Sequence, residues 1–289
     1  MSRLTTFSRG GLVFDVRDDG PADGEPVVLL HGFPQDSRCW GKVAPLLHQR
    51  GYRTLAPDQR GYSPRARPRG RAAYRVKQLT ADVAALIETL DAGPVNLVGH
   101  DWGAAVAWTL AGRRPELLRT LATLSVPHPA AFARAMTTTG QALKSWYLYA
   151  FQLPWLPERV LGSRAFEAML RRTGASREAA RRDAHLMCNP AVARGALAWY
   201  RALPLSGPLS GPRAGRGAGP AKIKVPTLHV WSDGDTAVGP WGARLNPKYV
   251  DAAYTFRALP GVSHWIPEEA PQQCADLLLA HFGSVDETS

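Results

Sequence analysis

The sequence predicts an α/β protein built on a mostly parallel eight-stranded sheet with helices on both faces. Three observations carry that expectation. Short continuous apolar runs such as PVVLL (26–30) mark strands buried on both faces. Amphipathic helical stretches separate them, and Gly, Pro or Asp stands at most junctions.

In chain order, FDVRDD (14–19) is a hairpin strand ahead of a turn at Gly20–Pro21. PVVLL is the next strand and stops at HGFP (31–34). Trp40 to Arg50 reads as a helix halted by Gly51. RTLAPD (53–58) is another strand. Residues 76–91 place Val76, Leu79, Val83, Leu86, Ile87 and Leu90 on one helical face, and Asp91-Ala-Gly-Pro ends it. VNLVGHDWGAAVAWTLAGRRP is an apolar strand, a sharp turn and a helix of small residues, followed by a strand in LRTLATLSVPHP.

The pattern changes over 128–221, where no strand signal appears. LKSWYLYAFQLPWLPE and PAVARGALAWYRAL repeat aromatic and apolar residues at helical spacing, so this part reads as a helical cap. It closes in SGPLSGPRAGRGAGPAK, a Gly-, Pro- and Arg-rich surface loop. Strands resume in VPTLHVWSD and YTFRALPG, and a last helix carries Leu277, Leu278, Leu279 and Phe282. The core is therefore expected from residues 1–127 and 222–289, with the cap between them.

The net charge of +11 comes mostly from arginines scattered along the chain. No basic stretch is interleaved with aromatics, which argues against a nucleic-acid partner. No apolar run approaches the roughly 18 residues needed to span a bilayer, so no membrane partner is expected. The polar start lacks the apolar stretch of a signal peptide, and Cys39, Cys188 and Cys274 have no metal-type spacing. The expectation is a cytoplasmic protein with reduced thiols, a small-molecule substrate, no metal or organic cofactor, and room for a homodimer.

The chemistry centres on GHDWG (99–103), which follows an apolar strand and opens a helix, the setting of a nucleophile elbow. Where serine usually stands, this chain has Asp101. A carboxylate is ionised at neutral pH without help and can displace a leaving group from saturated carbon, forming an alkyl-enzyme ester. Water must then hydrolyse that ester, so a base is still required. His264 in GVSHW is that base, and an acid in SDGD orients it. Asp235 is preferred because it lies further past the strand end, with Asp233 as the alternative. The backbone N–H groups of Phe33 and Trp102 are the expected oxyanion-hole donors. His31 and His100 read as loop supports, and Trp40, Trp155 and Trp265 as core or lining residues.

HGFPQ, DQRGYSP, GHDWG, SDGD and SHW, in this order, resemble the epoxide hydrolases of the α/β-hydrolase fold. That resemblance implies a capped α/β-hydrolase whose two cap tyrosines donate to the epoxide oxygen. Tyr200 in GALAWYRAL matches the second tyrosine, and Tyr147 in SWYLYAFQ the first, with Tyr149 as its rival and a possible substrate contact beside Phe33 and Trp102. Haloalkane dehalogenases are also similar, but many carry asparagine where this chain has Phe33, and fluoroacetate dehalogenases carry arginine where it has Trp102. A dehalogenase and a non-catalytic binding protein on this fold are the alternative readings.

Overall fold

The computed structural model describes residues 2–206 and 221–286. The chain runs through β1 (Thr6–Arg9), β2 (Leu12–Asp19), β3 (Glu25–Leu30), α1 (Ala44–His48), β4 (Tyr52–Pro57), α2 (Val76–Leu90), β5 (Val95–His100), α3 (Trp102–Arg113) and β6 (Leu118–Leu124). Then come α4 (Pro129–Thr138), α5 (Gln141–Lys144), α6 (Tyr147–Ala150), α7 (Leu156–Val160), α8 (Arg164–Arg172), α9 (Arg177–Met187) and α10 (Pro190–Arg201). The last part is β7 (Thr227–Ser232), α11 (Pro240–Leu245), β8 (Tyr254–Leu259), α12 (Ile266–Glu269) and α13 (Pro271–Asp286). The Gly/Pro/Arg-rich stretch expected to close the cap falls on 207–220, outside the described residues.

The strands form one sheet in the order β1-β2-β4-β3-β5-β6-β7-β8. The β1–β2 and β2–β4 pairs are antiparallel, and the remaining pairs are parallel. β3 shows why its sequence is continuously apolar. Val28 and Leu30 pack on one face with Leu86, Ile87 and Trp108, while Val27 and Leu29 pack on the other with Leu47, Leu278 and Phe282. Leu30 lies opposite Gly99, Gly99 opposite Thr123, and Thr123 opposite His229. β3, β5, β6 and β7 therefore end at one level, and the turns after them meet along one edge of the sheet, where parallel α/β sheets leave a crevice.

Helices α4–α10 lie between β6 and β7 in the chain. Phe166, Leu170, Met187, Leu197 and Trp199 from this stretch are buried in the same apolar core as the α2–α3 face of the sheet. Polar contacts add to the attachment. The Trp199 indole donates to the Arg60 carbonyl at 2.8 Å, and the buried Arg60 guanidinium donates twice to Asp82, at 2.7 Å each. Arg182 of α9 donates to Glu268 of α12 at 2.6 Å.

Two sequence expectations are corrected. The helix expected from Trp40 to Arg50 is a 3-10 turn over Ser37–Trp40 followed by the short α1. Pro45 has no N–H to give to a carbonyl one turn back, so a helix begins there and does not pass through. β1 carried no clear apolar signal, yet Phe7 pairs with Phe14 of β2 and their rings stack at 4.6 Å. A tertiary ring contact makes this strand, not its own periodicity.

Candidate active site

β5 ends at His100, and Asp101 adopts φ 52° and ψ −119° before α3 begins. A non-glycine residue held at positive φ costs of order 1–3 kcal/mol and persists only where its surroundings fix it. The surroundings here are tight. A Cβ on Gly103 would strike the Leu30 carbonyl, and one on Gly32 would strike the Asp101 side chain. The carboxylate is thus thrust out at the sheet edge against the loop after β3.

That loop answers with a donor: the Phe33 N–H lies 2.8 Å from Asp101 Oδ1. The Trp102 N–H opens α3, where first-turn amides have no intrahelical partner. The other carboxylate oxygen, Oδ2, is 3.6 Å from His264 Nε2. On the far side of the imidazole, His264 Nδ1 and Asp235 Oδ2 are 2.7 Å apart. Asp235 Oδ1 accepts the Ala237 and Val238 amides at 2.8 Å each, so the turn after β7 holds this buried acid by both oxygens. Asp233, the alternative, is exposed and accepts the Gly261 amide at 2.7 Å instead.

The electrostatics follow from burial and charge. Burial pulls the His264 imidazole down, but the Asp235 and Asp101 carboxylates outweigh it and raise its pKa to about 10. Burial would raise Asp101, and the bond and charge of His264, with the Phe33 amide, hold it below the ordinary carboxylate value. His100 is pushed down to about 4 by burial and the neighbouring His264 charge. It is therefore neutral, and its Nε2–H donates to the His264 carbonyl at 2.9 Å. Ser125, at φ 68°, donates to the same carbonyl at 3.2 Å. Sequence reading missed Ser125, because nothing in LSVP signals a left-handed serine.

His31 ties two loops together. The Gln59 amide donates to His31 Nε2 at 3.1 Å, which leaves Nδ1–H to donate to the Gly32 carbonyl at 3.1 Å. Gln59 Nε2 donates back to the His31 carbonyl at 2.6 Å. HGFP and DQRGYSP therefore form one frame under the Phe33 amide.

Tyr147 and Tyr200 face Asp101 from the cap side, with ring centroids 6.2 Å apart. Burial and then the Asp101 charge raise both phenols well above their ordinary pKa, so both keep their protons. Tyr200 packs edge-on against Phe33 and Trp102, each at 5.2 Å. Tyr149 is not brought to the site: it is 66% exposed and lines neither cavity there. The reason is local. Leu143, Leu148 and Tyr149 each bond to the carbonyl three residues back, so residues three apart share a face. Lys144, Tyr147 and Ala150 turn to the cavity, while Leu143 and Tyr149 share the opposite, solvent side with Trp146.

Two cavities meet at Asp101, Tyr147 and Tyr200. The larger, about 490 Å³, is apolar apart from Asp101, His264, Lys144 and a few hydroxyls, and includes Phe33, Phe166 and Trp265. The smaller, about 80 Å³, lies on the Trp102, Pro127 and Phe132 side. Trp40 is buried in the core, whereas Trp155, expected as core or lining, is 63% exposed. Among the described residues no group of His, Cys, Asp and Glu could hold a metal ion, and no helix is long and apolar enough to cross a membrane.

Residues 25–271 match the family model of the α/β hydrolase fold. The chain is 33% identical to the AB hydrolase superfamily protein YfhM of Bacillus subtilis, over 94% of this chain and 95% of that one. It is 32% identical to Epoxide hydrolase 2 of Caenorhabditis elegans, over 88% of this chain and 73% of that protein. The crystal structure of Epoxide Hydrolase A from Mycobacterium thermoresistibile superposes with a TM-score of 0.82 at 26% identity, covering 96% of each chain. A fold-wide match, relatives at this identity and a site built on an elbow aspartate agree: the chain is a hydrolase that belongs to the α/β-hydrolase fold family and, within it, to the epoxide hydrolases.

Proposed function

We propose that this protein opens an epoxide to a vicinal diol through a covalent ester on Asp101. The observation that carries the reading is the carboxylate itself: one oxygen rests on the Phe33 amide, the other faces His264 and the cavity wall formed by Tyr147 and Tyr200.

In the first step Asp101 Oδ2 attacks an epoxide carbon, the ring C–O bond breaks, and the oxygen takes a proton from the tyrosine pair. Oδ1 becomes the ester carbonyl oxygen. Esterification removes the Asp101 charge, one of the two charges that hold the His264 proton. The imidazole then surrenders its proton to restore the tyrosine, and as a neutral base it takes a proton from water. Hydroxide adds to the ester carbonyl carbon, and the Phe33 and Trp102 amides stabilise the charge on Oδ1. Collapse releases the diol and regenerates the carboxylate. Asp235 keeps the imidazole in the required tautomer. Residues 128–221 act as the cap that closes the site over the core formed by 1–127 and 222–289.

The test is intact-mass spectrometry of His264→Ala after exposure to epoxides and alkyl halides. An adduct on Asp101 equal to the whole epoxide is the expected result. An adduct equal to an alkyl halide less its halide would favour a dehalogenase. An unmodified protein, with a parent enzyme that turns the same epoxides over, would overturn the covalent route.

A further inference from the structure

Of the nine large apolar side chains exposed among the described residues, eight lie within residues 143–169, and the other is Phe256. Scattered exposed apolar residues need no explanation, but a contiguous patch does. These are contiguous. Trp146, Leu153, Leu156, Val160 and Met169 are exposed and at the same time line the large cavity, so they form its rim. Leu143 and Tyr149 flank Trp146 on the outer face of α5–α6, and Trp155 stands beside Leu156 at the start of α7.

The charges around this rim are of one sign. Residues 143–172 hold five basic side chains against two acidic ones. Glu158 is already bound to Arg201 at 2.5 Å, while Arg159, Arg164, Arg171 and Arg172 are exposed. Arg159 sits over the Trp155 ring at 5.3 Å, so an arginine and a tryptophan share one outward position. Tryptophans and aliphatic side chains fringed with arginine are what a helix needs to lie in a headgroup layer. A second copy of the chain is a poor occupant, because a self-complementary contact would bring the two arginine fringes together.

We propose that the outer face of α5–α8 docks on an anionic lipid surface, with the mouth of the large cavity against the lipid. An apolar epoxide dissolved in that lipid would then reach Asp101 without crossing water. This last point rests on the reaction proposed above, but the docking itself does not. The absence of a spanning helix is no obstacle, since a patch of this kind lies on a bilayer and does not cross it.

The experiment is sedimentation of the full chain with vesicles of equal parts phosphatidylglycerol and phosphatidylcholine, and with vesicles of phosphatidylcholine alone. The variant is Leu143→Ser/Tyr149→Ser/Trp155→Ser, which keeps every charge and touches no residue lining the cavities. The parent should sediment with the anionic vesicles and much less with the neutral ones, and the variant should bind the anionic vesicles about tenfold more weakly. Arg159→Gln/Arg164→Gln/Arg171→Gln/Arg172→Gln should also weaken that binding. Equal binding by the serine variant and the parent would overturn the proposal, because the overall positive charge would then suffice. So would a parent that binds neither vesicle, or one whose patch proves to be buried in a dimer that the serine variant dissociates. Sedimentation reads no turnover, so these outcomes leave the reaction to be judged separately.

Discussion

His264 Nδ1 and Asp235 Oδ2 lie 2.7 Å apart, in a place where the imidazole is 5% exposed and the carboxylate 2%. A buried contact of this kind fixes which ring nitrogen faces Asp101. Asp235→Asn should lower turnover by at least about a hundredfold and let the ester accumulate. Asp233→Asn should leave turnover near that of the parent. Steady-state rates with mass spectrometry of the trapped enzyme check both; equal losses in the two variants would count against the assignment.

The same pair makes stability depend on pH. The folded pKa of His264 is raised from 6.5 to about 10, so the group stabilises the fold fully below about 6.5. The contribution declines as pH rises and is gone above about 10. Between pH 7 and pH 10 the parent should therefore lose more thermal stability than His264→Gln. Melting curves across that range decide it, and parallel curves would speak against a charged imidazole at rest.

Ester hydrolysis at the carbonyl carbon leaves a mark on the enzyme. In a single turnover in ¹⁸O-water with enzyme in excess, the label should enter Asp101 and not the diol, because the diol takes its new oxygen from Oδ2. Diol labelled in that first turnover would mean that water attacks the epoxide directly.

The tyrosines should separate by face. Tyr200→Phe and Tyr147→Phe should each slow ring opening by roughly 10²-fold, with less effect on ester hydrolysis. Tyr149→Phe should change neither. Pre-steady-state accumulation of the ester measures the two steps apart.

A prediction for the framework concerns Asp82. Its carboxylate holds the buried Arg60 and also accepts from Arg9 at 2.9 Å. Asp82→Asn leaves a buried guanidinium without its counter-charge and should cost about 3–5 kcal/mol. Because the Arg60 carbonyl holds Trp199, next to Tyr200, activity should fall at temperatures below the melting transition. Denaturant unfolding and activity at one temperature give the two readings.

The sheet was legible because strands buried on both faces leave continuous apolar runs, as PVVLL does. Asp101, His264 and the acid of SDGD were legible as residue types in order along the chain. What could not be read was set by contacts across the fold. β1 exists through the Phe7–Phe14 stack, and α1 is short because Pro45 forbids a longer helix. Ser125 holds the His264 backbone from a left-handed position that no local residue announces. An ideal helix offered no rule to choose between Tyr147 and Tyr149. The three-residue repeat of their segment makes the choice, and that repeat appears only in its hydrogen bonds.

That repeat makes spacing as binding a requirement as identity between Gln141 and Ala150. Removing one residue from this stretch would turn everything after it by a third of a revolution. The phenol that donates a proton would swing toward water, and an indole or a leucine would swing in. The segment therefore tolerates exchanges of side chain far better than changes of length. Comparisons of this part between relatives should be aligned without gaps before any tyrosine in it is assigned a role.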